Sequence, residues 1–202
     1  MNVLIVYDSR LGSVKKMARL IARGAESVSD CNAVIRCVPE VSITETSSNE
    51  TAREKTDYAD LLVERSDLES CDALIIGSPT RFGNMSASMK YFLDGTSSLW
   101  MSGALSGKPA AVFTSSSSMH GGQESTLLTM LNPLLHHGML ICGIPFTEHA
   151  LSKTTTGGTP YGASHVAGSN NNKPISDDEK ALCIALGKRV AKFGATLKLA
   201  QP

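Results

Sequence analysis

Three short stretches combine hydroxyls and glycines directly after apolar runs. Asp8-Ser9-Arg10-Leu11-Gly12-Ser13-Val14 follows Asn2 to Tyr7, and Gly77-Ser78-Pro79-Thr80-Arg81-Phe82-Gly83-Asn84-Met85 follows Asp72 to Ile76. Ser115-Ser116-Ser117-Ser118-Met119-His120-Gly121-Gly122 follows Ala110 to Thr114. The chemistry they offer is hydrogen bonding to an anion and to a flat polar ring. In the first stretch Ser9 and Ser13 can donate, Gly12 permits close approach, and a helix starting near Ser13 aims N–H groups and its positive end at a dianion. It has neither the Gly-Lys-Ser/Thr of a P-loop nor a G-x-G-x-x-G fingerprint. In the second, Pro79 fixes its own φ and pushes Ser78 towards an extended conformation, while Gly77 and Gly83 allow the chain to turn. His136 and His137 are adjacent at a helix end, so at most one faces a site. No Cys or His lies at zinc-ligand spacing from them. Trp100, the only tryptophan, sits among small polar residues that bury it poorly, which suits a ligand wall or a subunit contact.

The elements that must position these residues alternate. Strands are expected at Asn2 to Tyr7, Ala33 to Val38, Asp72 to Ile76, Ala110 to Thr114 and Met139 to Ile144. Helical spacing follows in Met17, Leu20, Ile21 and Ala25, then in Met85, Met89 and Phe92 with Asn84 as cap, then from Gln123 to Leu134. Ser176-Asp177-Asp178-Glu179 has the form of a capping box opening a last helix with Leu182, Leu186, Val190 and Phe193 on its buried face. A short helix is expected near Tyr58 to Arg65. This pattern predicts an α/β fold, a doubly wound five-stranded parallel sheet between helical layers. Residues 1–202 read as a single domain with irregular insertions near 40–66 and 146–175. All three chemical stretches leave carboxyl ends of strands, near the topological switch point where open α/β sheets bind ligands.

Composition narrows the function. A formal net charge of zero with scattered Lys and Arg argues against a nucleic-acid surface. No apolar run is long enough for an integral membrane segment, and the start lacks a signal peptide's pattern. The five cysteines form no CxxC pair and lie mostly in apolar runs, as free thiols do in a reducing cytoplasm.

The first loop suits a phosphate and the other two suit a flat heterocycle, which together fit FMN; nothing suits an adenine ribose. The sequence resembles the flavodoxin-like NAD(P)H:quinone oxidoreductases of the WrbA type. The resemblance is carried by Gly77 to Met85, Phe92-Leu93-Asp94, Leu99-Trp100, His120-Gly121-Gly122-Gln123-Glu124, His136-His137-Gly138-Met139 and Gly157-Gly158-Thr159-Pro160-Tyr161-Gly162. It implies a flavodoxin-like fold, FMN as cofactor, NADH or NADPH as co-substrate, quinone as substrate and a homotetramer. It implies that Ser9, Arg10, Leu11, Gly12, Ser13 and Val14 hold the phosphate. Pro79, Thr80, Arg81, Phe82 and Gly83, with Ser115, Ser116, Ser117, Ser118, Met119, His120 and Gly121, would contact the ring and ribityl chain. His136 would stand beside the ring as the catalytic donor to a quinone oxygen, with Trp100 and Phe146 at the substrate. Leu11 departs from the aromatic residue common in the family, and Phe146 from a tyrosine. The rival reading is a flavodoxin-type one-electron carrier, for which an acidic docking surface is usual and zero net charge is not. A regulatory binding module, as the older family name suggests, would need a basic or heptad surface that the chain lacks.

Overall fold

A computed structural model describes residues 1–41 and 60–199. The chain runs β1 (Asn2–Tyr7), α1 (Ser13–Glu26), β2 (Asn32–Cys37), α2 (Arg65–Ser70), β3 (Ala73–Pro79), α3 (Ala87–Asp94), α4 (Ser97–Met101) and β4 (Pro109–Ser116). It continues through α5 (Gln123–His136), β5 (Leu140–Ile141), α6 (His149–Lys153), β6 (Ala163–Val166) and α7 (Asp177–Leu199). The sheet is parallel in the order β2-β1-β3-β4-β5. Its middle strands are apolar almost throughout because helices cover both faces. Val3, Ile5, Ile75 and Phe113 pack under Met17 and Ile21 of α1 and under Leu182, Leu186 and Val190 of α7. Leu4, Val6, Leu74, Ile76 and Val112 pack under Met89 and Leu93 of α3 and under Leu127, Met130 and Leu134 of α5. Period-two alternation thus divides one sheet between two cores, giving the three expected layers.

The fifth strand differs from expectation. Only Leu140 and Ile141 pair with β4, at its start. The chain leaves near Gly143, where the Pro160 carbonyl closes in and accepts from the Ile144 N–H at 2.9 Å. β6 then takes up the place beside the carboxyl half of β4, pairing Phe113–Ser116 with Ala163–Val166. The stretch 146–175, expected to be irregular, therefore contains α6 and β6. β3 and β4 also run longer than expected, through Pro79 and Ser116, because as interior strands they keep partners to the end: Ser78 pairs Thr114 and Pro79 pairs Ser115.

Helix boundaries shift for local reasons. Most of the excursion near 40–66 lies outside the described residues. The start of the helix expected near Tyr58 to Arg65 lies outside the described residues; residues 60–64 are not helical, and α2 begins at Arg65, capped by reciprocal bonds between Glu64 and Asp67. Ser86, not Asn84, caps α3, its Oγ accepting from the Met89 N–H at 3.2 Å. The buried stripe of α7 follows i, i+4 spacing through Leu182, Leu186, Val190 and Gly194, so Phe193 falls beside it. Phe193 is 40% exposed and lies under the Arg189 guanidinium, 4.8 Å from its ring centre. All five cysteines are free thiols; burial pushes Cys71 up to about 11.

Candidate functional site

The site is built at the carboxyl end of the sheet. Gly12, at φ 86°, occupies the N-cap of α1 and has no side chain of its own with which to cap it. A residue with a Cβ adopts that φ only under strain. The first turn of α1 holds no acidic residue, so its positive end is left for an anion. The Lys15 N–H in that turn is taken: it donates to Ser9 Oγ at 3.3 Å and ties the loop to the helix. A Cβ built on Gly12 would meet no atom within 4 Å, so the space above it is open.

The loops after β3 and β4 form the next walls. Arg81 and Asn84 exchange backbone hydrogen bonds across Phe82 (φ 52°) and Gly83 (φ 75°). Two successive positive φ values make this a type I′ turn. Phe82 is fully exposed in it, a strained and outward position for an aromatic side chain. Thr80 joins the two loops: its N–H donates to the Ser115 carbonyl at 3.0 Å, and its hydroxyl lies 2.6 Å from that of Thr126. Gly122 is packed so closely on Gly83 that a Cβ would come within 2.8 Å of its Cα. Ser116 Oγ donates to the Ser118 carbonyl at 2.7 Å. Ser117, Ser118, Met119 and His120 are exposed beyond it.

Ser9, Arg10, Leu11, Ser13, Val14, Pro79, Thr80, Arg81, Ser115, Ser116 and Ser117 line one depression of about 160 Å³. Gly12 lies within that first loop, and Phe82, Gly83, Ser118, Met119, His120 and Gly121 belong to the loops that form the other two walls. Sites that enclose a whole drug-sized ligand run to about 300–1,000 Å³. The depression therefore encloses a phosphate-sized end and leaves a ring to lie on the open walls. A larger groove of about 510 Å³ lies between α2 and α3–α4, lined by residues such as Val63, Leu68, Phe92 and Leu99. The helices that start at its edge, α2 and α4, have only 6 and 5 residues, whereas the smaller depression gathers the start of the 14-residue α1 and the hydroxyls of the loops after β1, β3 and β4, and we place the site there on that ground.

A fourth wall was not legible in the sequence. Ala167, Gly168, Ser169 and Asn171, just after β6, line the same depression. Asn171 has φ 52°. Its Nδ2 donates to the Leu11 carbonyl at 2.8 Å, and its Oδ1 accepts from Ser13 Oγ at 2.7 Å. Behind this wall the buried Glu179 carboxylate accepts from Gly157 N–H (2.8 Å), Val166 N–H (3.0 Å) and Ser176 N–H (2.8 Å), and it meets His165 Nδ1 at 2.9 Å. Burial alone would raise its pKa, but the His165 bond and the three N–H donors outweigh it and bring it down to about 2. The Ser176 Oγ accepts from the Glu179 N–H at 3.2 Å, so the expected capping box is present and also anchors β6.

His136, Trp100 and Phe146 lie elsewhere. Helices return antiparallel to the strands, so the end of α5 and α4 reach the amino end of the sheet. Gly107 N–H bonds the Gly138 carbonyl and Leu140 N–H bonds the Lys108 carbonyl, beside the start of β4. The Trp100 indole N–H donates to the His136 carbonyl at 2.9 Å, holding both at that corner. β4 has 8 residues, so at about 3.3 Å each the corner stands roughly 25 Å from the depression. Phe146, 66% exposed, sits in the excursion between β5 and β6. Among the described residues, no group of three or more His, Cys, Asp or Glu could hold a metal, and no helix is long and apolar enough to cross a membrane.

The model of the family described as NADPH-dependent FMN reductase matches residues 1–146. The chain belongs to this family. A Syntrophobacter fumaroxidans protein named NAD(P)H dehydrogenase (quinone) is 45% identical over 201 residues, covering 98% of this chain and 98% of its own. A Geobacter sulfurreducens protein of the same name is 44% identical over 98% of this chain and 99% of its own. The solved flavodoxin, WrbA-like protein from Agrobacterium tumefaciens superimposes with a TM-score of 0.66 at 25% identity, over 96% of this chain and 98% of that one. FMN fits the residues present: the positive start of α1, free of acidic residues, and the open space above Gly12 suit a phosphate, and the loops after β3 and β4 suit a flat ring.

Proposed function

We propose that the chain is an FMN-dependent NAD(P)H:quinone oxidoreductase in which NADH or NADPH and the quinone occupy one open face of the site in turn. The observation that carries this reading is the depression at the sheet's carboxyl end, with the start of α1 on one side and the loops after β3 and β4 on the others. FMN, when bound, supplies a two-electron acceptor and donor. The protein's part is to hold and orient. Ser9 to Val14 hold the phosphate by backbone N–H groups and the Ser9 hydroxyl; the Ser13 hydroxyl, expected to donate as well, is committed to Asn171 Oδ1. Thr80 to Phe82 and Ser115 to Gly121 bear on the ring, and Leu11, 66% exposed, offers an apolar but non-aromatic edge to a nicotinamide or quinone.

His136 donates a hydrogen bond or proton to the quinone oxygen, with Trp100 as a cover. Because both stand at the amino end of the sheet, a neighbouring chain of a homotetramer brings them to the site; the same assembly brings Phe146, outside the depression of its own chain, to flank the substrate space. The free thiols suit a reducing cytoplasm.

The purified protein should bind FMN with a shifted flavin absorption spectrum and should oxidise NADH or NADPH only when benzoquinone is supplied. Binding of FMN without quinone-dependent turnover would favour a one-electron carrier. A protein that leaves the FMN spectrum and fluorescence unchanged would defeat the proposal. Initial rates at varied NADH and benzoquinone should give parallel double-reciprocal lines; intersecting lines would mean a ternary complex and reject the shared face.

A further inference from the structure

We propose that Asn171 is a positioning residue of the phosphate cradle, setting the conformation of Gly12 from outside the loop that Gly12 belongs to. The inference rests on the reading of this depression as the FMN site.

Gly12 is held on both sides. The carbonyl of Leu11 before it takes the Asn171 Nδ2–H at 2.8 Å, and the hydroxyl of Ser13 after it donates to Asn171 Oδ1 at 2.7 Å. A neutral amide can donate to the first and accept from the second, which a carboxylate or an ammonium cannot. Asn171 is itself set for the task. Its φ of 52° is one that asparagine tolerates better than most residues. The backbone around it closes on itself, Asn171 N–H to the Gly168 carbonyl at 3.0 Å and Lys173 N–H to the Ala167 carbonyl at 2.9 Å. Ala167 N–H in turn bonds the Ser116 carbonyl at 2.8 Å, so the strap is fixed to β4 and transmits that rigidity to the first loop.

The consequence is pre-organisation. A loop of hydroxyls around a glycine would otherwise be ordered only when the ligand arrives, at a cost to affinity. With Asn171 in place, the Leu11–Gly12 peptide plane on one side of Gly12 and the Ser13 side chain on the other are fixed before phosphate binds. The effect concerns the phosphate alone, so it separates FMN from riboflavin, which shares the ring and ribityl chain but has no phosphate.

The test compares apo-protein binding of FMN and riboflavin by flavin fluorescence quenching in the wild type, Asn171→Gly and Asn171→Asp. Glycine keeps the positive φ without strain and removes only the amide. Aspartate loses the donor to Leu11 and places a carboxylate beside a dianion. We expect the FMN-to-riboflavin affinity ratio to fall about tenfold in Asn171→Gly, as for loss of roughly one hydrogen bond's worth of organisation. It should fall further in Asn171→Asp, with riboflavin affinity and apo-protein melting little changed in both. An unchanged ratio in Asn171→Gly overturns the proposal, even if Asn171→Asp weakens FMN, since that would show proximity without positioning. Equal losses for both flavins also overturn it, because a general structural role would do that. A wild type that binds neither flavin would defeat the FMN reading itself, a result distinct from either.

Discussion

Gly12 is the residue on which the cradle depends most directly. Valine there would have to hold φ 86°, a region nearly closed to β-branched side chains. Its Cβ would also enter the open space that no protein atom occupies within 4 Å. Gly12→Val should therefore lower FMN affinity by roughly one to two orders of magnitude, through both the distorted loop and the filled space. Titration of the apo-variant with FMN measures this. A variant that purifies fully loaded would place the phosphate somewhere else. The residues of this loop were legible because their signal is short-range: hydroxyls and a glycine between an apolar run and a helical period. The same holds for Thr80 and for Ser115 to Ser117. Asn171 was not legible, since its partners Leu11 and Ser13 are 160 and 158 positions away in sequence. The run Gly168-Ser169-Asn170-Asn171-Asn172 does signal a turn with positive φ, but nothing local says which loop it meets. The turn at Phe82 was equally hidden, because an aromatic residue at positive φ follows from no propensity.

At the scale of elements, β6 and α7 are joined through one carboxylate, and the wall containing Asn171 hangs from that joint. Glu179 is 1% exposed, faces His165 and receives three backbone N–H groups. Its folded pKa, about 2, lies below its ordinary 4.5. The stability it contributes is therefore fully present above about pH 4.5 and is lost as the pH falls from there towards 2. Glu179→Gln puts an amide NH₂ against donors, leaving buried groups unpaired, and should cost on the order of 3 kcal/mol at neutral pH. Urea unfolding of both proteins from pH 7 down to pH 2.5 tests the assignment. The gap between them should narrow below pH 4.5, and a constant gap would show that Glu179 is not the group that titrates. The capping box of this helix start was readable from Ser176 and Glu179, whereas the second duty of Glu179 was not. The parallel sheet was readable because β1, β3 and β4 are nearly continuous apolar runs alternating with helical periods. The split of the last strand was missed because Ala163-Ser164-His165-Val166 is small and polar, and only pairing with Phe113–Ser116 makes it a strand.

At the scale of the whole molecule, the chemistry-bearing residues are divided between opposite ends of one sheet. The depression lies at the carboxyl end, and Trp100 and His136 share a corner at the amino end, tied by the indole N–H at 2.9 Å. The family resemblance named these residues together, but nothing in the sequence says that helices α3 and α5 carry them back by the length of the sheet. The assembly proposed above would resolve the separation. Two chains side by side with their sheets antiparallel would put each depression against the other chain's Trp100–His136 corner. Such a contact is reciprocal, so it closes without forming a filament and yields two equivalent pockets. The surfaces suit it: Leu11 and Phe82 are exposed at one end, and Trp100, Met101 and Leu135 at the other, apolar side chains that such a contact would cover. If the pocket is shared, FMN binding and assembly must stabilise each other, because both favour the same state. Sedimentation velocity of the apo- and FMN-loaded protein over a dilution series should show flavin shifting the population to the larger species. Trp100→Ala should weaken assembly several-fold and raise the quinone KM, with little effect on the melting of the isolated chain, since the indole is 55% exposed there. Superimposable association curves for apo- and holo-protein, together with a normal quinone KM in Trp100→Ala, would leave each chain with a site of its own and remove His136 from the chemistry.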